Sequence, residues 1–238
     1  MKTLIICDYD DTLFDTDGFF SGALETLRKQ GDEGAKVAGT LDAEVTRRRN
    51  DKNSSSSAGY DIMGEVRNSD PKLENILAEG LAAGNEGRIF KDAARFYGSV
   101  KDREDIEFNV WTRGEEAWQK AKIAGTVFKA LEEEGRLNTF LEPDKIARII
   151  ERLGDTATGD AFTFNDIVYN RLVMIDNDKR YFKGFEKLRE RLGAAAVGFQ
   201  VHRDNPRFST GADQLPDGVT AIKDFNDKHF RQELGLAA

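Results

Sequence analysis

The sequence of 238 residues predicts an α/β fold built on a doubly wound, mainly parallel sheet. Four short apolar runs have the composition of parallel strands that are covered by helices on both faces. These runs are Leu4–Cys7, Ile106–Trp111, Leu172–Ile175 and Ala196–Val201. Segments with helical periodicity lie between them, and strands that alternate with helices of this length are typical of a doubly wound sheet.

Three segments between or after the predicted strands have the apolar spacing of amphipathic helices. Glu115–Glu133 places apolar residues three and four positions apart, and we expect a single helix there. Pro143–Leu153 begins with proline, a residue favoured in the first turn of a helix. Tyr181–Leu192 is followed by Gly193, which is suited to the position just after a helix.

The stretch between residues 15 and 87 differs from the rest because it contains helical patterns but no convincing strand. It includes Asn53–Gly59, whose serine-rich composition indicates a loop. We therefore expect an α/β core of residues 1–14 and 88–238, and a helical insertion of residues 15–87. Helices that belong to the core itself are the alternative interpretation.

The net charge and the single cysteine limit which partners the protein is expected to bind and in which cellular compartment it is expected to occur. The net charge of −8 argues against a nucleic-acid or anionic-membrane surface, because both need clustered positive charge. Cys7 is the single cysteine, so an internal disulfide is excluded. The apolar run Leu4–Cys7 is too short for a signal peptide or a membrane span. We expect a cytoplasmic protein with no nucleic-acid or membrane partner, and the sequence leaves its oligomeric state open.

Three acidic residues, Asp8, Asp10 and Asp11, follow the first predicted strand. Chemistry in open α/β sheets takes place at the carboxyl ends of strands, which is where Asp8 lies. Three carboxylates within four residues repel one another, and Mg²⁺ relieves this repulsion because it prefers oxygen ligands. An ordinary polar turn explains one or two of these residues, but not their position directly after a core strand.

A calcium loop of the EF-hand type fails on spacing. When Asp8 is counted as the first position, the sixth position needs Gly and the twelfth needs Glu. Leu13 and Phe19 occupy these two positions instead. The cluster is therefore more consistent with a Mg²⁺ site than with a calcium loop.

The acidic cluster and three later segments resemble the four motifs of the haloacid dehalogenase superfamily. Asp8–Thr12 is similar to motif I, Asp-x-Asp-x-Thr after an apolar strand. Phe108–Gly114 resembles motif II, an apolar strand that ends in Thr or Ser. Lys145, near the start of a predicted helix, fits motif III, and Val173–Asp176 resembles motif IV, an apolar strand that ends in an acid. The four segments occur in the order that the family requires.

The resemblance implies phosphotransfer through an aspartyl-phosphate. Asp8 would be the nucleophile, which divides one difficult displacement into two easier ones. Asp10 would act as the general acid and base, which contributes about 10²–10⁴ in rate. Thr112 would hold the phosphate oxygens, and Lys145 would balance the charge on the nucleophile and the phosphoryl group.

The resemblance also implies a Mg²⁺ cofactor. Asp8, the main-chain carbonyl of Asp10, and Asp176 would hold the ion. The second acid that the family usually places after motif IV is missing here, because Asn177 follows Asp176. Asp178 is a further candidate ligand, and an N-cap ahead of the next helix is the alternative role for it. Asn177 is another candidate, through its side-chain oxygen.

Two assignments rest on weaker signals. Arg113 and Gly114 follow Thr112 and would contact the substrate phosphate, although a surface arginine needs no such role. Lys122 and Lys129 are alternatives to the lysine of motif III, and we expect both on a helix among solvated charges.

Together these expectations describe a Rossmann-like α/β core with an inserted α-helical cap, acting as a Mg²⁺-dependent phosphohydrolase on a small phosphorylated metabolite. Family members that cleave carbon–halogen bonds lack the second acid of motif I, so the presence of Asp10 disfavours dehalogenation. A phosphomutase of the same superfamily and a non-catalytic module that binds a phosphorylated ligand remain alternatives.

Overall fold

A computed structural model gives the fold of most of the chain. The residues that it describes are 1–50, 60–141, 144–154, 161–203 and 215–236, with the side chains of residues 49 and 50 left out. The predicted loop Asn53–Gly59 lies outside the described residues, and so does Pro143. No helix within the described ranges is both long and apolar enough to cross a lipid bilayer.

The chain divides into two compact units. The first, here called the α/β unit, comprises Met1–Leu13, Phe90–Trp111 and Glu142–Ala238. The second, here called the helical unit, comprises Phe14–Ile89 and Thr112–Leu141. The helical unit thus includes a later segment, residues 112–141, in addition to the stretch that follows the first strand.

The described residues form eight strands. They are β1 (Thr3–Cys7), β2 (Ile106–Arg113), β3 (Leu137–Phe140), β4 (Phe162–Phe164), β5 (Ile167–Tyr169), β6 (Arg171–Asp176), β7 (Ala196–Val201) and β8 (Val219–Ile222). Six of them form one sheet in the order β3-β2-β1-β6-β7-β8, in which β2, β1, β6, β7 and β8 run parallel. The predicted α/β fold is confirmed, and the four predicted strands are β1, β2, β6 and β7.

Strand β1 lies in the middle of the sheet, which explains its apolar composition. Leu4, Ile5 and Ile6 are buried almost completely, because both faces of this strand are covered. Burial of one such side chain stabilises the fold by about 1.5–3 kcal/mol relative to its exposure. The register pairs Cys7 with Ile175 of β6, so β1 and β6 end side by side.

Ten α-helices are found among the described residues. They are α1 (Thr16–Arg28), α2 (Gly31–Asn50), α3 (Ile62–Ser69), α4 (Pro71–Ala82), α5 (Lys91–Val100), α6 (Glu116–Ile123), α7 (Lys129–Glu133), α8 (Lys145–Arg152), α9 (Phe185–Leu192) and α10 (Lys228–Glu233). Helices α5, α8, α9 and α10 belong to the α/β unit, and the other six belong to the helical unit.

Three helices of the helical unit, α1, α3 and α4, begin at aspartate caps. Asp15 accepts a hydrogen bond from Gly18 N at the start of α1, and Asp61 accepts one from Gly64 N at the start of α3. Asp70 caps α4, whose first residue is Pro71. Each cap satisfies a backbone N–H that has no partner inside the helix, which stabilises the helix by about 1 kcal/mol.

The single helix predicted for Glu115–Glu133 is wrong, because the structure has two helices there, α6 and α7. Helix α6 ends at Ile123, and Gly125 adopts a left-handed conformation with φ of 73°. A Cβ atom at this glycine would lie 2.2 Å from the carbonyl oxygen of Ala82. Asn85 Nδ2 donates to the carbonyl oxygens of Ala121 and Ala124, 2.7 Å from each, and so satisfies backbone groups at the break.

The helix predicted for Tyr181–Leu192 is shorter than expected. Its first residues belong to a 3₁₀ turn, Lys179–Phe182, and α9 begins only at Phe185. Gly184 separates the two with a left-handed backbone, φ of 86°. The predicted end of the helix is confirmed, since Gly193 follows α9 with φ of 59°.

Strands β4 and β5 form a separate antiparallel hairpin that the sequence analysis did not predict. The two residues of its turn, Asn165 and Asp166, have φ of 48° and 65°. Asn and Asp tolerate the left-handed region better than other non-glycine residues do, and two positive φ values are typical of the tightest hairpin turns.

Candidate active site

A tight turn, residues 8–13, connects the end of β1 to the rest of the chain. Asp8 N–H donates to the carbonyl oxygen of Ile175 at 2.8 Å, which continues the pairing of β1 with β6. Leu13 N–H donates to the carbonyl oxygen of Tyr9 at 3.0 Å and closes the turn. Asp11 has φ of 55°, a conformation that aspartate tolerates. This backbone holds Asp8 at the carboxyl end of a central strand.

Lys145 joins the two carboxylates that lie at the ends of β1 and β6. Its Nζ is 3.1 Å from Asp8 Oδ1 and 2.5 Å from Asp176 Oδ2. All three side chains are at most 7% exposed. Lys145 is the first residue of α8, which Asp144 caps, and the ring of Tyr181 covers its ammonium group at 4.8 Å.

Burial and charge both act on this group of three. Burial raises the pKa of Asp8 well above its ordinary value, and Lys145 only partly offsets the effect. Burial raises the pKa of Asp176 as well, again against the opposing effect of Lys145. Burial by itself would lower the pKa of Lys145, but the two carboxylates outweigh it and raise that pKa. One lysine therefore balances only one of two buried carboxylates.

Thr12 connects the turn to the residue after β6. Its Oγ1 lies 3.3 Å from Asp8 Oδ2 and accepts a hydrogen bond from Asn177 N–H at 3.1 Å. Thr12 is fully buried, so these contacts are protected from water. The sequence analysis placed Thr12 in the first motif but gave it no role, whereas here it orients the carboxylate of Asp8.

Asp10 and Asp178 occupy different environments. Asp10 is half-buried on the same turn as Asp8, and its charge contributes to the raised pKa of Asp8. Asp178 accepts from Arg180 N–H at 2.9 Å and so caps the 3₁₀ turn that begins at Lys179. Its carboxylate also pairs with the Arg180 guanidinium, 2.5 Å from Nη2. The N-cap role of Asp178 is therefore present, and its role as a metal ligand stays a prediction.

Thr112, Arg113 and Gly114 belong to the end of β2 and the residue after it. Thr112 Oγ1 donates to Gln119 Oε1 at 3.2 Å, and Arg113 Nε donates to the carbonyl oxygen of Leu141 at 2.8 Å. A Cβ atom at Gly114 would lie 2.2 Å from Gln119 Nε2, so a larger residue there would displace the Gln119 amide, which donates to the carbonyl oxygen of Arg113. These three residues belong to the helical unit, whose second segment begins at Thr112. Their contact with phosphate stays a prediction.

The alternatives to Lys145 do not lie in the α/β unit. Lys122 in α6 is fully buried, so the expectation that solvated charges surround it is wrong. Lys129 is about half exposed and pairs with Glu132, 2.5 Å away. Among the three candidate lysines, Lys145 is the one that the structure brings together with Asp8 and Asp176.

Arg203 and Asp92 form a buried ion pair that the sequence analysis missed. Arg203 Nη1 lies 2.8 and 2.7 Å from the two carboxylate oxygens of Asp92. Arg203 Nε and Nη2 both donate to the carbonyl oxygen of Thr12, at 3.2 and 2.7 Å. Residues 12, 92 and 203 are far apart in sequence, and Asp92 and Arg203 lie in none of the four motifs, so no local signal could have predicted this contact.

Acid is expected to weaken the fold in part through Asp92. Burial alone would raise the pKa of this carboxyl, but hydrogen bonds from Arg203 and from Phe225 N–H outweigh burial and lower it. A lowered pKa contributes stability that is present above the unfolded-state value, about 3.9, and is lost as the pH falls through the folded value. The free-energy difference of unfolding between wild type and Asp92→Asn should therefore be largest near neutral pH and shrink below about pH 4.

Urea unfolding of both proteins at pH 7 and pH 3 measures this difference. If wild type and Asp92→Asn differ in free energy of unfolding by the same amount at both pH values, the ionised carboxylate of Asp92 does not stabilise the fold and the prediction is wrong.

Solved structures give an independent comparison for the fold. A haloacid dehalogenase-like hydrolase from Burkholderia xenovorans matches over 99% of each chain, with 16% identity and a TM-score of 0.62. The chain has the haloacid dehalogenase-like fold. The HAD-hydrolase YfnB from Bacillus subtilis, which was solved bound to magnesium, also matches over 99% of each chain, with 14% identity and a TM-score of 0.54.

Sequence comparisons add nothing to this assignment of the haloacid dehalogenase-like fold. No protein-family model matches the chain, and no curated protein matches it significantly. A 2-haloacid dehalogenase from Pseudomonas syringae shares the fold as well, at 18% identity and a TM-score of 0.50. The fold thus occurs in a dehalogenase and in hydrolases whose descriptions name no substrate, and the residues of the site have to decide the chemistry.

The residues at the carboxyl ends of β1 and β6 include oxygen donors of the type that binds divalent cations. Asp8 and Asp176 supply carboxylate oxygens, the type of ligand that Mg²⁺ prefers, and they carry one negative charge more than Lys145 balances. In the part of the chain that the structure describes, no three His, Cys, Asp or Glu side chains are grouped around a common metal position. Asp8 and Asp176 are therefore the two side chains with the donors to hold such an ion, and the main-chain carbonyl of Asp10 as a third donor stays a prediction.

Proposed function

We propose that this protein is a Mg²⁺-dependent phosphohydrolase that acts on a small phosphorylated metabolite, with Asp8 as the nucleophile. The observation that carries this proposal is the buried contact of Lys145 with both Asp8 and Asp176, at the carboxyl ends of two adjacent parallel strands. A lysine in this position opposes the effect of burial on the pKa of the nucleophilic carboxylate and attracts an anionic substrate. The fold supports the proposal because it occurs in hydrolases that include a magnesium-bound one.

The residues of the α/β unit would divide the reaction among them. Thr12 holds one oxygen of Asp8 and Lys145 holds the other, so the carboxylate has a fixed orientation for attack on phosphorus. In the first step the P–O bond to the leaving group breaks as an Asp8–phosphorus bond forms, and Asp10 gives a proton to the leaving oxygen. In the second step Asp10 takes a proton from water, whose oxygen attacks phosphorus and releases Asp8 and phosphate.

The metal and the helical unit complete the proposal. When bound by Asp8, Asp176 and the carbonyl of Asp10, Mg²⁺ supplies charge neutralisation between the anionic nucleophile and the anionic substrate. The helical unit would be the cap that selects the substrate, and Thr112, with Arg113 and Gly114, would bind the phosphate oxygens. The enzyme would act in the cytoplasm.

A panel of substrates tests this function. Wild-type protein is incubated with and without Mg²⁺ on phosphate monoesters of sugars, alcohols and carboxylic acids, and free phosphate is measured. A 2-haloacid with assay of halide release serves as the comparison substrate, because the fold also occurs in dehalogenases. Mg²⁺-dependent phosphate release on at least one ester is expected.

Each other outcome points to a different activity. Conversion of a sugar phosphate to its isomer without free phosphate would identify a phosphomutase. Ligand binding without turnover would identify a binding module. Halide release in place of phosphate release would overturn the proposed reaction.

Asp176→Asn is expected chiefly to raise the Mg²⁺ concentration that gives half-maximal activity, by about tenfold or more. The amide keeps the shape of the side chain but removes a charged metal ligand. Activity measured over a range of Mg²⁺ concentrations gives this value. Asp102→Asn, at an exposed carboxylate of the same unit, is the matched control. An unchanged Mg²⁺ requirement in the Asp176 variant would show that the fourth motif is misassigned.

A further inference from the structure

We infer that Arg203 is a positioning residue for the nucleophile, and that it acts by fixing the turn of residues 8–13 from the opposite end of the chain. The inference deepens the proposed function and rests on it for its effect on turnover. The positioning itself rests on the contacts alone.

The first step is the contact of Arg203 with the turn. Two of its nitrogens, Nε and Nη2, donate to one acceptor, the carbonyl oxygen of Thr12. The side chain of the same Thr12 contacts Asp8 Oδ2, and Phe90 N–H holds the carbonyl oxygen of Leu13 at 3.0 Å. The two peptide groups that flank Leu13 are therefore held from outside the turn, one by Arg203 through Thr12 and the other by Phe90. Thr12 is also the residue that orients Asp8.

The second step is the way Arg203 itself is held. Its remaining nitrogen, Nη1, lies within 2.8 Å of both carboxylate oxygens of Asp92, whose Oδ2 also accepts from Phe225 N–H at 3.0 Å. The guanidinium plane lies near the rings of Phe90 and Phe225, with its central carbon 4.2 and 5.3 Å from their centroids. The side chain is 12% exposed. A guanidinium with fixed partners on every side is a rigid support.

The third step is that only arginine fits this set of partners. The planar guanidinium presents donors in a fixed fork, so it serves a carbonyl oxygen and a carboxylate at once. The ammonium group of lysine is a point charge that would keep the ion pair with Asp92 but could not reproduce the paired bonds to Thr12. In Arg203→Lys the ion pair with Asp92 is therefore kept, whereas the paired hydrogen bonds that position the turn are lost.

Arg171 offers a matched control in the same unit. It also joins a carbonyl oxygen and a carboxylate, both from Glu233, with Nη1 2.6 Å from the carbonyl oxygen. Arg171 begins β6, at the opposite end of the strand from Asp176. Arg171→Lys should cost stability in a similar way without affecting the turn.

Hydrogen–deuterium exchange and steady-state kinetics test the inference together. In Arg203→Lys, the amides of the 8–13 turn, including Leu13 N–H, should exchange at least about tenfold faster than in wild type. The kcat for a generic phosphate ester should fall by about 10- to 10²-fold, because small displacements of a reacting group have effects of this size. The KM should stay within about threefold, since the turn acts on the nucleophile and not on ground-state binding. Arg171→Lys should leave the exchange of the turn and kcat unchanged.

The outcomes separate this inference from the proposed function. Turn amides that are equally protected in Arg203→Lys and wild type would overturn the role of Arg203. Equal loosening of the turn in both variants would overturn it too, because the effect would then be one of general stability. Faster exchange confined to Arg203→Lys, in a wild-type protein that hydrolyses no ester, would support the positioning and reject the phosphohydrolase.

Discussion

Asp8→Asn is expected to abolish Mg²⁺-dependent phosphate release, with a loss of about 10⁴-fold or more in kcat. The amide has the shape of the carboxylate but cannot form an acyl phosphate, so the first chemical step is removed. The variant should fold at least as well as wild type, because burial raises the pKa of Asp8 and so disfavours its charged form in the folded state. Steady-state assays and thermal unfolding of the same preparation measure both quantities.

Asp11, on the same turn as Asp8, provides the control for this substitution. Asp11 lies on the same turn with φ of 55°, a conformation that asparagine adopts readily, so Asp11→Asn makes the same chemical change without backbone strain. The control should retain most of the activity. Rapid quenching of wild type with labelled substrate should also trap a phosphoryl group on Asp8. Residual turnover in Asp8→Asn within tenfold of wild type would contradict a covalent role for this residue.

Lys145→Met is expected to reduce both activity and stability. The methionine keeps the length of the side chain but leaves Asp8 and Asp176 buried next to each other without a cation. Loss of one partner from a buried ion pair typically costs about 3–5 kcal/mol in the free energy of unfolding. The kcat should fall by about 10²–10³-fold, because a charge that stabilises the phosphoryl group is lost.

Lys2→Met is the matched control, because Lys2 pairs with Glu107 at 3.1 Å but directly precedes β1, at the opposite end of the strand from Asp8, and is one-third exposed. The control should cost less than about 1 kcal/mol and leave kcat unchanged. Urea unfolding with and without Mg²⁺ gives the second readout, since Mg²⁺ should stabilise Lys145→Met more than wild type. A variant as stable and active as wild type would remove Lys145 from the site.

The parts of the fold that could be predicted are those that local composition decides. Strands buried on both faces are short apolar runs, and β1, β2, β6 and β7 were recognised for this reason. Three site residues could be named as candidates from the sequence: Asp8 after β1, Asp176 at the end of β6 and Lys145 at the start of α8. The two acids were recognised because chemistry in open α/β sheets takes place at the carboxyl ends of strands. The sequence predicted their identity, whereas the contact of Lys145 with both acids needed the structure.

The parts that could not be predicted depend on the backbone or on distant partners. The hairpin of β4 and β5 turns at Asn165 and Asp166, two residues that also suit an ordinary loop. The break after α6 depends on how closely Gly125 approaches Ala82, which periodicity does not reveal. The contact of Arg203 with Thr12 joins residues 191 positions apart, and no local pattern encodes it.

The distance in sequence between the turn and Arg203 also has a consequence for the order of events during synthesis. Strand β1 is made first, but it occupies the middle of the sheet and its neighbours β2 and β6 are made much later. At about 5–20 residues per second, the ribosome needs about 10–40 s after Thr12 to reach Arg203. During this interval the apolar β1 has no completed sheet to enter, so nascent chains that stop before residue 203 should depend on chaperones and lack a formed nucleophile site.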